Sequence, residues 1–101
     1  MLRMRDLLAQ FNRAFESKAR LNIMSVLMVN DTQSFNALKE LLGLTDGNLA
    51  THLRALEESG YVVAQKQFIG RKPNTTYSAT DTGRQAFSDH LNALEAFIKN
   101  L

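Results

Sequence analysis

The chain has 101 residues, 45% hydrophobic and 22% charged, and carries a formal net charge of +2. Such a balance belongs to a folded globular chain and excludes a disordered one, and the length predicts a single domain over residues 1–101. Cysteine is absent, which excludes disulfide scaffolding, thiolate metal sites and thiol catalysis.

No apolar run approaches the length of a transmembrane helix. The N-terminal decapeptide is basic, but it lacks the uninterrupted apolar core and small-residue cleavage site of a secretory signal. A cytoplasmic protein with no membrane partner is the expectation. The mild basicity permits nucleic-acid binding without requiring it, so the placement of the charge decides.

Residues 2 to 15 predict a helix, within an N-terminal segment 1–16, with Leu8, Phe11 and Phe15 on one face and Met4 and Leu7 beside them. That face needs a surface to pack on, either its own domain or a partner subunit. A second helix is predicted from Ser17, its N-cap, to Val29. Leu21, Met24, Leu27 and Met28 are its buried side and Ile23 and Val26 widen it, which makes it central to the core. Asn30-Asp31-Thr32 reads as the turn that follows, and 32–34 as a very short strand.

Residues 34–60 carry two short helices around a tight turn. Leu38, Leu41 and Leu42 share a face of the first. Gly43 ends it, Thr45 is the N-cap of the next, and Asp46 sits in the first turn, where the helix dipole favours a carboxylate. Leu49, Leu53 and Leu56 form the apolar stripe of the second helix, and Gly60 stops it. The pair predicts a helix-turn-helix. Asn48, Thr51, Arg54 and Ala55 point away from or flank the leucine stripe and His52 lies at its border, leaving a small polar face suited to a DNA major groove.

Beyond Gly60 the period becomes alternating. Residues 61–68 and 75–79 are β-prone, and Ile69-Gly70-Arg71-Lys72-Pro73-Asn74 between them predicts a hairpin loop. The hairpin, 61–79, makes a wing with Arg71 and Lys72 at its tip, placed to meet phosphate or the minor groove. Thr80 caps a last helix from Asp81 to about Asn100. Phe87, Leu91, Leu94, Ile98 and Leu101 recur four and three apart along it, a short heptad seam. We expect this seam, in segment 80–101, to meet its symmetry mate, with the first helix joining through Leu8, Phe11 and Phe15.

Chemical sites are not expected. His52 and His90 have no partner at metal-pair spacing; His52 is expected at the groove edge or in packing, and His90 at the surface near the interface. Glu57 and Glu58 are adjacent and diverge on a helix. There is no nucleophile motif or phosphate loop, so neither an enzyme nor a cofactor or metal is expected.

The runs LGLTDGNLATHLRALEESGYV (42–62) and GRKPNTTYSATDTGR (70–84) resemble winged-helix transcriptional regulators of the MarR/ArsR type, over about residues 17 to 101. The resemblance implies an α+β, mainly α, winged helix-turn-helix: a three-helix core plus a two-stranded wing, with N- and C-terminal dimerisation helices. It further implies a homodimer that binds a pseudo-palindromic operator in double-stranded DNA and represses or tunes transcription. The residues it points to are Thr45, Asp46, Gly47, Asn48, Ala50, Thr51 and His52 at the head of the recognition helix. Arg54 falls near phosphate, with Lys66, Arg71 and Lys72 on the wing.

Where relatives often carry Ser and Arg, this chain has Ala50 and Thr51, which shifts weight to the wing and to DNA shape. The metal-sensing clusters of some ArsR-like relatives are missing. A pocket between the terminal helices and the core is open to an unspecified small-molecule effector. A rival reading, supported by the low net charge and by Asp46, is a winged-helix protein–protein interaction module without direct DNA binding.

Overall fold

The computed structural model describes residues 3–101. In order the elements are α1 (Met4–Ala9), a 3-10 turn (Arg13–Phe15), α2 (Lys18–Met28), β1 (Gln33–Ser34), α3 (Phe35–Leu42), α4 (Asp46–Glu58), β2 (Val62–Ile69), β3 (Lys72–Ala79) and α5 (Asp81–Lys99). The helices α2 to α5 are started by local chemistry. The hydroxyls of Ser17, Ser34, Thr45 and Thr80 accept from the backbone N–H of Arg20, Ala37, Asn48 and Gly83. Each satisfies a donor that the first turn leaves without a partner.

The N-terminal helix expected over 2–15 is corrected. Residue 2 lies outside the described residues, α1 ends at Ala9, and the chain then turns. Asn12 is the cause. Its backbone is extended (φ −89°, ψ 122°) and its side-chain oxygen accepts from the N–H of Ala14 at 2.9 Å. Its own N–H donates to His90 Nδ1 at 3.0 Å and its amide donates to the Tyr61 hydroxyl at 2.9 Å. Three hydrogen bonds at about 1 kcal/mol each outweigh the few tenths of helix propensity that continuing would gain.

The core is one cluster built from Phe15, Ile23, Met24, Leu27, Leu38, Leu49, Leu53, Leu56, Val62 and Phe87. Burying each large side chain is worth about 1.5–3 kcal/mol before entropy is counted. α2 runs through its middle, as its all-round apolarity predicts. Leu41, expected on the apolar face of α3, is exposed instead. Two seam assignments are also corrected: Phe15 and Phe87 lie in the protomer's own core, edge to face with ring centroids 5.3 Å apart. A heptad stripe reports an apolar face, not its occupant. His90, expected at the surface, is buried between Phe11 and Phe15.

Three antiparallel strands form one sheet in the order β1-β3-β2. β1 pairs only Gln33 with Tyr77 and Ser34 with Thr76, whereas β2 and β3 pair along their whole length, from Val62 opposite Ala79 to Ile69 opposite Lys72. The hairpin loop is therefore Gly70 and Arg71 alone, not the six residues expected. Gly70 takes φ +64°, the conformation a two-residue turn needs at its first position. Pro73 is tolerated in β3 because β1 has ended by that level and no ladder partner wants its missing N–H. The wing projects, and the molecule measures 57 × 25 × 21 Å along its principal axes.

Candidate nucleic-acid interface

α3 and α4 meet across a turn set by backbone chemistry. Gly43 sits at φ 64°, ψ 31°, and the N–H groups of Gly43 and Leu44 both donate to the Lys39 carbonyl. This is the left-handed termination that frees the chain to turn sharply. Thr45 then caps α4, while Leu49, Leu53 and Leu56 anchor it in the core. Anchoring one stripe presents the other. Thr45, Asp46, Gly47, Asn48, Thr51 and Arg54 are exposed, and Ala50 and His52 are half-buried. The Nδ1 of His52 is shielded from solvent and has no hydrogen-bond partner.

Two details of this face escape a sequence pattern. Asp46 lies 2.9 Å from Lys39 Nζ, so the carboxylate at the head of α4 is matched by a cation from α3. Thr51 donates its hydroxyl proton to the Gly47 carbonyl at 2.9 Å. With that proton engaged, Thr51 offers only lone pairs outward, toward an amino group rather than a carbonyl.

The wing starts beside α4. Glu57, near the end of α4, acts on Tyr77 of β3: burial first, and then this negative charge, raise the phenol above its usual value of 10.0. Tyr77 is therefore neutral at physiological pH. Lys66, Arg71 and Lys72 are exposed toward the free end. No aspartate or glutamate occurs from Tyr61 to Thr80, so the wing is wholly cationic although the chain is nearly neutral.

The joint behind the interface is dense. The Thr80 hydroxyl donates to the Gly60 carbonyl at 2.7 Å and the Thr80 N–H to the Tyr61 carbonyl at 3.0 Å. α5 comes so close here that a side chain at Gly83 would overlap the Tyr61 carbonyl. Arg84 reaches back to the Met28 and Leu27 carbonyls at 3.3 and 3.4 Å, capping the negative end of α2. Nothing in the local sequence marks Arg84 for that role, because its acceptors are more than fifty residues away.

α1 folds back on α5 of its own chain, with Phe11 edge-on to Phe97 at 5.8 Å. On the outer side Leu8, Leu91, Ile98 and Leu101 stay exposed, and Phe11 and Leu94 are half-buried. A shallow groove between the 3-10 turn, α2 and the end of α4 is lined by Arg13, Arg20, Ala55 and Tyr61. Among the described residues no group of three metal-ligating side chains converges, and no helix is long and apolar enough to cross a membrane.

A capped helix pair with one stripe buried and the other offered, followed by a projecting basic hairpin, is a winged helix-turn-helix. Residues 19–98 match the family described as winged helix DNA-binding domain, and the chain belongs to that family. It is similar to an uncharacterized protein of Methanocaldococcus jannaschii, 38% identical over 89 residues that span 88% of this chain and 97% of that one. Among solved structures, a transcriptional regulator homologue from Pyrococcus horikoshii OT3 superposes with a TM-score of 0.84 at 30% identity, covering 96% and 94% of the two chains. A MarR-family transcriptional regulator from Enterococcus faecalis V583 superposes with a TM-score of 0.67 at 26% identity, covering 96% and 83%.

Proposed function

We propose that the protein is a homodimeric, sequence-specific regulator that binds double-stranded DNA and acts as a repressor by occupying its operator. The observation that carries the reading is the pairing of an open recognition face on α4 with a wing that holds three cations and no acid. Asn48 and Thr51 read base edges. Arg54, Lys66, Arg71 and Lys72 hold phosphate or the minor-groove rim. Gly47 lets the backbone approach closely, and Thr45, Ala50 and His52 complete the surface that meets the duplex. The Lys39 partner of Asp46 weakens the case for a protein-docking module, because the acid at the head of α4 does not face the duplex uncompensated.

The dimer places Leu8, Leu91, Leu94, Ile98 and Leu101 against their symmetry mates, with Phe11 at the edge. Half-sites then lie about one helical turn apart, roughly 34–36 Å. The test is salt-dependent binding to duplexes selected from a random pool. In the double variant Arg71→Ala, Lys72→Ala, the log–log slope of affinity against salt is expected to flatten by up to about 0.9 for each phosphate that is no longer neutralised. An unchanged slope removes the wing from the mechanism.

A further inference from the structure

Holding phosphate does not require apolar side chains at the end of the wing, yet Phe68 is 74% exposed and Ile69 66%. Side chains alternate along a strand. Val62 and Ala64 turn toward the core, so Lys66 and Phe68 continue that same face beyond the body of the protein, while Val63 and Ile69 occupy the opposite one. Phe68 therefore lies on the strand face that continues outward from the core side. Its cross-strand partner is Pro73. Lys66 precedes it by two residues on the same face, and Arg71 occupies the turn beyond.

We propose that Phe68 is a wedge: it enters the minor groove beside each half-site and partly unstacks a deformable pyrimidine–purine step, with Lys66 and Arg71 on the flanking phosphates. The inference rests on the DNA-binding reading above. A ribbon with strands about 4.8 Å apart does not fit bodily into a minor groove about 6 Å wide, so what enters is a side chain at the tip. Phe68 and Ile69 point to opposite faces, so the tip offers no continuous apolar patch of the size a protein partner or a bilayer covers. One ring flanked by cations suits a narrow apolar floor between two phosphate rails. Inserting it costs unstacking, which is least at TA and CA/TG steps. The wedge thereby gives the operator a flank preference that no hydrogen bond to a base supplies.

The test uses full-length protein and duplexes that the wild type selects from a random pool, with 2-aminopurine placed at successive steps along the flanks. With wild type, fluorescence is expected to rise at a single step on each side. Phe68→Ala is expected to abolish the rise and weaken binding by roughly tenfold or more, leaving the salt slope unchanged, whereas Phe68→Trp keeps both signal and affinity. Phe68 is solvent-exposed, so an unaltered melting curve separates loss of the wedge from loss of the fold. Tight wild-type binding without a rise at any step overturns the wedge alone, as does Phe68→Ala behaving like wild type. Phe68-dependent binding to vesicles of phosphatidylglycerol and phosphatidylcholine, with DNA affinity indifferent to Phe68, also overturns it. Failure of the wild type to bind any duplex overturns the DNA reading itself.

Discussion

Gly83 occupies the closest approach between α5 and the chain that leaves α4. An added methyl group would overlap the backbone carbonyl of Tyr61, which also accepts from Thr80, and neither backbone can give way cheaply. Gly83→Ala is expected to cost about 2–3 kcal/mol or more, read as a lower urea midpoint at unchanged slope. His90 is equally constrained but responds to pH. Its Nδ1 accepts from Asn12, so the proton of the neutral ring sits on Nε2. Burial lowers its pKa from 6.5, with the charge of Glu16 opposing. A histidine depressed in the folded state binds fewer protons there than in the unfolded chain, so its contribution is complete above the unfolded value and is lost as pH falls through and below 6.5. Urea titrations at neutral and mildly acidic pH are expected to show wild type losing more stability on acidification than His90→Gln, which keeps an acceptor and cannot titrate.

Among the elements, the α3–α4 turn depends on a glycine for its backbone and not for space. Gly43 has positive φ and nothing within 4 Å of where a Cβ would stand. Gly43→Ala is therefore expected to cost about 1–2 kcal/mol, the left-handed penalty alone, and Gly43→Asn less; thermal melts of the two variants check this. Such features were legible from sequence because they are local: Ser17, Thr45 and Thr80 cap the next turn of their own chain, and Gly43 breaks its own helix. The end of α1 was not legible, because the bonds that fix Asn12 come from residues 49 and 78 positions away. The same holds for Arg84 and for His90. Phe15 and Phe87 misled for a different reason, since their spacing reports that a face is apolar and not which surface covers it. On the candidate interface, the residue types of α4 and the wing could be read directly. The Lys39–Asp46 pair and the internal bond of Thr51 needed the folded turn.

At the scale of the molecule, the outward stripe on α1 and α5 leaves large apolar side chains in water, with Ile98 64% and Leu101 82% exposed. Leu91→Asp with Ile98→Asp is expected to give a monomer in equilibrium sedimentation. Because these side chains are exposed within the protomer, the variant is expected to keep a cooperative melt whose midpoint no longer depends on protein concentration. Affinity for a two-half-site duplex should drop by roughly a hundredfold or more, since the second recognition helix would no longer be delivered at high effective concentration. A dimer that survives the double substitution assigns the interface to another surface.

Tyr61 joins these scales. Its ring stacks on Phe15 with centroids 5.5 Å apart, its hydroxyl is held by Asn12, and its carbonyl receives Thr80 at the start of α5. It is thus the fulcrum between the helix offered to the duplex and a lever nineteen residues long, about 28 Å at helical rise. A tilt of about 5° there swings the far end by about 2 Å. In the proposed twofold assembly the axis would impose the same tilt on both protomers, so the seating of one aromatic ring would set the separation of the two α4 helices.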